Sequence, residues 1–558
     1  MARKTLTLIL FSILLVFSTT FPCTANETEY LFDNSSVSSL DSVIYGCALG
    51  HNKEPINAKQ KRIRQLNELS RDTLPSSLDL SDSVYFPPID NQGGVKSCTS
   101  WATTYYQFTY QVARMNGWNA HDYPEYRFSP RWTYNFSNKG MNSGSNYFDN
   151  YYILKQTGAA RCSEFFPYAI NTPDTYIPWL TYAQVYRDAL KYRITDYTNW
   201  EISTIFDYTP ITNPNSLAIL SIKDLLYSGH IVTFSTDWST NYAKQLTNQY
   251  DDSLDGQYAV IYHRDRNHHY EGHSMSIVGY DDNIWYDLNQ NGEPEEFEKG
   301  ALKIANSHGT GYMNSGFVWV MYDALNKESN ATNLNYDDRD GYIDDYDYYT
   351  IEIEKHNLDL SAEVTLYNRY RSDICLETTT DTSDENSDYG SFLRFDGGNF
   401  NFEGGDTFCA GSFVFDYGTL NPEIQRSNVY LRVEDSPTLI NDTYQNIPTT
   451  IQRIRLVDRT GKVVVDDTTQ KVLNNQVGQY PYRIGMVGDV NNDAQLNYSD
   501  MSLINGYLAG SNTFSYEDMI IADTDGDGYI TIFDASHLQR YIEDIISEMD
   551  NGVYAYLS

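Results

Sequence analysis

Cysteine is scarce in this chain, with six in 558 residues. That is too few for a dense disulfide framework. Basic residues are scarce as well: 39 Lys and Arg face 75 Asp and Glu, a formal net charge of −36. Such a balance excludes nucleic acid and an anionic membrane surface as partners and suits an extracellular protein. Long apolar runs are missing except at the N-terminus, where Arg3-Lys4 precede Leu6 to Phe17 and Cys23-Thr24-Ala25 follow. This is the pattern of a secretory signal peptide, residues 1–25, cleaved after Ala25. No other run is long enough to span a bilayer. A chain of this length is too long for one core, so three or four domains are expected. Among the five cysteines beyond the signal, a pairing of Cys375 with Cys409 is open, and Cys47 and Cys162 have no evident role.

The chain is richest in chemistry around Cys98. Asn91-Gln92-Gly93-Gly94-Val95-Lys96-Ser97-Cys98 leads into a stretch without Gly or Pro up to Gly117. This predicts a helix that starts near Cys98 and places the thiol at the positive end of the helix dipole, where the thiolate is favoured. Gln92, on the loop leading in, can donate beside the Cys98 backbone N–H to an oxyanion. Far downstream, Gly272-His273-Ser274-Met275-Ser276-Ile277-Val278 alternates as a strand does, with His273 at its start. Asn306 follows in Ile304-Ala305-Asn306-Ser307-His308-Gly309. A nucleophile, a base, an orienting amide and an oxyanion donor are the parts of acyl transfer.

These segments resemble the papain-like cysteine peptidases. The Gln-to-Cys spacing, the His-Ala-Val…Val-Gly-Tyr strand, the Asn-Ser-Trp-Gly-Thr-Gly-Trp segment and the order Gln, Cys, His, Asn all have counterparts here. Phe166-Pro167-Tyr168 and Gly229-His230-Ile231-Val232 are smaller echoes. The resemblance runs from Leu74 to Tyr349 and implies a two-subdomain α+β peptidase acting on protein or peptide substrates. It assigns Gln92, Cys98, His273 and Asn306 to catalysis. The departures are Thr99-Ser100 ahead of Trp101, Val95 in place of a cysteine, and His308 and Tyr312 in place of two tryptophans. They motivate a rival reading, a peptidase-like module that binds without cleaving. Residues 26–73 match the position of an inhibitory prosegment, with a basic patch of Lys59, Lys61, Arg62, Arg64 and Arg71; a simple leader is the alternative.

Between the His273 and Asn306 segments lies Asp287-Leu288-Asn289-Gln290-Asn291-Gly292-Glu293-Pro294-Glu295-Glu296-Phe297-Glu298. Oxygen side chains fall at loop positions 1, 3, 5, 9 and 12 with Gly at 6, the pattern of a calcium loop. Asp287, Asn289, Asn291 and Glu298, with the Glu293 carbonyl, are its candidate ligands; an acidic hairpin tip without metal is the alternative. The acidic run from Asp337 to Asp347 has no ligand spacing and reads as a solvated linker.

The C-terminal segment repeats at an offset of 34 residues. Asp489, Asn491, Asp493, Asn497 and Asp500 align with Asp523, Asp525, Asp527, Thr531 and Asp534, and an apolar helical stripe follows each set. These two Asp-ending loops resemble a dockerin, the module that plugs cellulosomal proteins into cohesins. The resemblance implies calcium in both loops, a cohesin partner on an extracellular scaffold, and contact through Tyr498, Ser499, Ile532 and Phe533. Ala494 stands where the first loop needs Gly, which predicts a weaker site. From Ile351 to Tyr482, alternating stretches separated by Gly-rich turns predict an all-β sandwich, either a binding domain or a spacer packed on the peptidase. The expected order is signal peptide 1–25, prosegment 26–73, papain-like domain 74–350, β-sandwich 351–484 and a small α, EF-hand-like dockerin pair 485–550.

Overall fold

A computed structural model of the chain describes residues 74–557 except 168–171, 202–209, 238–240, 248–253, 264–271, 327–328, 332–346, 380–389, 395–397, 418–425, 437 and 441–442. The chain divides into two units, Met1–His51 and Asn52–Ser558, and every described residue belongs to the second. The signal peptide, the prosegment with its basic patch, Cys47, Tyr168 and residues 337–346 of the acidic run lie outside the described residues.

Residues 98–116 form one continuous helix, α1, which is π-helical over Trp101–Phe108. It ends where Gly117 takes a φ of 67°. All eight residues of the π-helical stretch are buried, so the helix has no solvent face there. Its polar side chains are satisfied internally: Gln107 donates to the carbonyls of Ile231 and Tyr349, and Thr104 bonds Thr133. Helices α2 (Pro130–Ser137), α3 (Tyr147–Thr157), α4 (Ala183–Ala189) and α5 (Leu217–Tyr227) complete this part of the molecule.

Facing α1 is a nine-stranded sheet built from β1 (Ser77–Asp79), β2 (Tyr192–Glu201), β3 (Val232–Asp237), β4 (Asn241–Gln245), β5 (Tyr258–His263), β6 (Gly272–Trp285), β7 (Lys299–Ala305), β8 (Phe317–Met321) and β9 (Asp347–Lys355). The order is β2-β9-β3-β6-β7-β8-β5-β4, with β1 also on β6. All pairings are antiparallel except β5 with β8. Where β1 crosses β6 there is no room for a side chain: a Cβ on Gly279 would lie 2.5 Å from the Leu78 carbonyl oxygen. Trp101, Tyr105 and Tyr106 of α1 pack on Val278 of β6 and Ala305 of β7, which draws the helix carrying Cys98 onto the strands leading from His273 and to Asn306.

β9 runs through position 351 as a member of this sheet, so the change of sequence pattern at 351 precedes the change of sheet. The strands that follow are β10 (Leu360–Asn368), β11 (Ile374–Thr379), β12 (Gly390–Arg394), β13 (Cys409–Asp416), β14 (Asn428–Asp435), β15 (Thr438–Ile440), β16 (Thr443–Gln445), β17 (Thr449–Asp458), β18 (Val463–Asp467), β19 (Lys471–Leu473) and β20 (Val477–Met486). One five-stranded sheet runs β13-β10-β17-β18, with β19 on β17; a second runs β12-β11-β14-β20 and is completed by β21 (Tyr554–Tyr556). Their inward residues, among them Val364, Leu366, Leu376, Leu431, Val433 and Ile454, share one apolar core with Trp132, Phe136 and Tyr186 of the helices. Tyr186 meets Phe413 with ring centroids 5.1 Å apart, and the Trp179 backbone N–H donates to the Phe402 carbonyl. The two sheets are therefore packed directly on the helical side of the first fold.

Cys98, Cys162, Cys375 and Cys409 are all free thiols. The pairing left open for Cys375 and Cys409 is not made.

β20 leads directly into the tail, whose helices are α6 (Tyr498–Leu508), α7 (Tyr516–Ala522) and α8 (Ile532–Ile542). α7 lies between the repeats and was not part of the sequence expectation. After α8 the chain returns as β21 to pair with β20, placing Tyr554 opposite Met486. Ion pairs Arg426–Asp518 and Arg483–Glu517 tie α7 to the sandwich.

Candidate active site and calcium loops

Cys98 is the first residue of α1 and is partly exposed. The turn before it is closed by Ser97 N–H donating to the Val95 carbonyl at 2.8 Å. Gln92 is buried and held from three sides. Its backbone N–H donates to the Ser307 carbonyl at 2.8 Å, its Nε2 donates to the Val95 carbonyl at 3.0 Å, and its Oε1 accepts from Ser307 Oγ at 2.5 Å. An amide nitrogen carries two hydrogens, so one donor on Gln92 remains for a ligand.

His273 is buried near the start of β6, and its Nε2 lies 2.8 Å from Asn306 Oδ1. Asn306 directly follows β7 and is fully buried. The Ser307 backbone N–H also donates to Asn306 Oδ1, at 2.7 Å. A backbone N–H can only donate, so the atom facing it must be the amide oxygen. His273 Nε2 must then carry the proton it shares with that oxygen, which leaves Nδ1 as the basic nitrogen. Tyr106 of α1 donates to the Asn306 carbonyl at 2.9 Å, so the helix of the cysteine also fixes the asparagine.

Burial holds His273 down to about 4, opposed by the Asn306 hydrogen bond. Packing around the sulfur pushes the Cys98 thiol up, opposed by hydrogen bonds from Ser274 and Thr99. Both shifts favour the neutral forms, a thiol at Cys98 and an imidazole at His273. His308 is exposed and meets the His273 ring edge-to-face, centroids 4.9 Å apart, with Tyr312 tilted behind it at 5.7 Å. It covers the position where the family resemblance implies a tryptophan.

The two tail loops share one hydrogen-bond plan. In the first, Asp489 accepts from the amides of Asp493 and Ala494, Asp493 from Gln495, and Asp500 from Asn491 and Asn497. In the second, Asp523 accepts from Asp527 and Gly528, Asp527 from Tyr529, and Asp534 from Asp525 and Thr531. Carboxylate oxygens of Asp489, Asp493 and Asp500 lie within 4.8 Å of one another, as do those of Asp523, Asp525 and Asp527. Asn497 and Thr531 cap the helices that follow. Tyr498, Ser499, Ile532 and Phe533 are all exposed on the first turns of α6 and α8.

The loop between β6 and β7 follows the same plan. Asp287 accepts from Asn291 and Gly292, Asn291 from Glu293, and Glu298 from Asn289 and Glu295. Positions 4 and 6 take positive φ in all three loops: Gln290 and Gly292, Asn492 and Ala494, Gly526 and Gly528. Glu295, absent from the expected ligand set, accepts from the side-chain amides of Asn289 and Asn291. Its place at loop position 9 was the available signal.

Residues 487–543 match the dockerin type I domain. No curated protein matches the chain. Among solved structures, the chain is similar to xylellain, a cysteine protease from Xylella fastidiosa, at 19% identity and a TM-score of 0.32, over 52% of this chain and 91% of that one. It is similar to procathepsin B from Trypanosoma congolense at 14% identity and a TM-score of 0.31, over 53% and 84%. The bromelain protease from Ananas comosus follows at 15% identity and a TM-score of 0.29, over 50% and 100%. Likenesses this low leave the chemistry to rest on the site itself.

Proposed function

We propose that the chain is a secreted cysteine peptidase that hydrolyses peptide bonds through a Cys98 thioester and is held on an extracellular scaffold by a cohesin. The observation that carries the reading is the Asn306–His273 pair, with its tautomer set by Ser307, together with a cysteine that opens a helix. Cys98 Sγ attacks the scissile carbonyl as His273 Nδ1 takes the thiol proton. The Cys98 N–H and the remaining Gln92 Nε2–H hold the oxyanion. His273 then protonates the leaving amine as the C–N bond breaks. A water gives its proton to His273 and attacks the thioester, which releases the acid and restores the thiol.

In this reading residues 26–73 are a prosegment, 74–350 the peptidase, 351–484 the sandwich and 485–550 the dockerin. The acidic oxygens of loops 489–500 and 523–534 suit calcium, a hard cation that takes six to eight oxygens. Loop 287–298 shares their hydrogen-bond plan and is proposed as a third calcium loop, which would stiffen the connection between β6 and β7. The rival reading, a module that binds without cleaving, is favoured by the neutral state that burial imposes on Cys98 and His273. Digestion of a mixed peptide library by a form beginning at Leu74, repeated with Cys98→Ala, decides between them. Cleavage lost in the variant supports the peptidase, and no cleavage by either form supports the rival.

A further inference from the structure

We propose that the sandwich anchors both tail loops and so sets how tightly they hold calcium, with Lys462 acting through Asn551 on the second loop and Arg426 acting on the first. The inference rests on the calcium reading of the tail and names positioning residues that lie outside both loops. After α8 the chain turns back, and residues 551–553 join the second loop to the turn between β17 and β18. Lys462 Nζ donates to the Asn551 carbonyl and to Asn551 Oδ1, both at 2.5 Å. An ammonium can only donate, so the atom facing Lys462 is the amide oxygen, and Nδ2 is left for the loop. Asn551 Nδ2 donates to the carbonyl of Asp523, the first residue of the second loop, at 2.5 Å. The Asn551 backbone N–H donates to the Thr524 carbonyl at 3.2 Å. The same turn of the sandwich holds the residues that follow. Asp458 Oδ2 accepts from the Val553 N–H at 2.8 Å. Gly552, at a φ of 76°, passes so close that a Cβ there would lie 2.5 Å from Asp458 Oδ2.

The first loop is held at the same point of its sequence. Arg426, just before β14, donates to the Val490 carbonyl at 3.0 Å and to Asp518 of α7. Val490 and Thr524 are both the second residue of their loops. Each loop therefore begins on a carbonyl whose donor belongs to the sandwich or is fixed by it. Calcium takes the leading Asp of such a loop together with oxygens further along it. A loop entrance already held from outside has less freedom to lose when the ion binds, which tightens binding. The coupling is reciprocal, so calcium in the tail also tightens the tail on the sandwich.

The test is calcium titration of the full chain by calorimetry, with circular dichroism to check the fold of each variant. Asn551→Ala and Lys462→Met should each weaken one calcium site by about two- to tenfold, the loss of one hydrogen bond at the loop entrance. Both should keep that effect in an Asp489→Ala background, which disables the first loop. Arg426→Ala should weaken a site by a similar factor in the otherwise unchanged chain, and in the Asp489→Ala background its effect should fall below about twofold. Calcium should raise the melting temperature of the wild type more than that of Asn551→Ala. An unchanged calcium affinity in folded Asn551→Ala or folded Lys462→Met overturns the proposal, because the sandwich would then not reach the loop. Failure of the calcium reading shows separately, as a wild-type titration that Asp489→Ala and Asp523→Ala leave unaltered.

Discussion

The cysteine site and the tail loops are assembled by opposite routes. At the cysteine site, Gln92 and Ser307, 215 positions apart, share hydrogen bonds, and the helix of Cys98 holds Asn306 through Tyr106. Each tail loop gathers its carboxylates from twelve consecutive residues, and at such short range they repel one another. The cysteine site thus depends on packing between distant segments, and the tail loops on residues that are neighbours in sequence, with an ion as the proposed partner of their carboxylates.

The largest expected effects test the cysteine site. Cys98→Ala and His273→Ala should abolish peptide hydrolysis, and Asn306→Ala should leave a reduced activity. Gln92→Ala should lower kcat by roughly ten- to a thousand-fold, the loss of one oxyanion donor. Near-normal turnover by Cys98→Ala would end the comparison, because the cysteine site would then have no chemistry to explain.

Next comes the dependence on an ion. A chelator should abolish cohesin binding by the tail, and Asp523→Ala should damage it more than Asp489→Ala. Cohesin binding that survives chelation, measured by calorimetry, would contradict the calcium reading.

Chain ends separate the two regions further. A chain ended at 355 exposes the apolar surface of Trp132, Phe136 and Tyr186 that the sandwich covers, so it should aggregate or lose its cooperative melt. A chain ended at 486 keeps all the buried residues of that core but Tyr554 and should remain active, at a lower melting temperature because β20 loses β21.

Part of the pH response follows from His273, alongside His308 and His356, which burial also holds down to about 4. The His273 pKa is depressed to about 4, so the unfolded chain takes up a proton, near the ordinary value of about 6.5, that the folded chain refuses. Its contribution to stability is complete above about pH 6.5 and is lost as the pH falls towards 4, by up to about 3 kcal/mol. Denaturant midpoints at pH 7, 5 and 4 should fall less steeply in His273→Ala.

The smallest effect concerns the first tail loop. Ala494 holds a φ of 63°, where Gly528 in the second loop holds 84° without a side chain. Ala494→Gly should tighten calcium in the first loop by about 1 kcal/mol, roughly fivefold. Equal affinities of the two loops before the change would remove the reason for it.

Much of this was legible in order and spacing. Helix α1 follows from an uninterrupted stretch closed by Gly117, β6 from alternation after His273, and the tail loops from a repeat whose ligands are neighbours in sequence. Other features were not. Ser307 sits beside Asn306 in sequence, yet its bond to Gln92 exists only once two distant loops meet. The Lys462–Asn551 link is of the same kind. α7 carries few periodic apolar positions, and β21 is only three residues long, too short for a pattern.

The sequence by itself determined which residue types are present for acyl transfer, their order, and the three acidic loops, because each of those signals is local. Only the tertiary structure decided which tautomer His273 takes, what holds Gln92, that the sandwich shares a core with the helices, and that the chain closes on β20 after the tail. Those outcomes depend on which surfaces are buried against each other, and burial is a property of the packed chain rather than of any one segment of it.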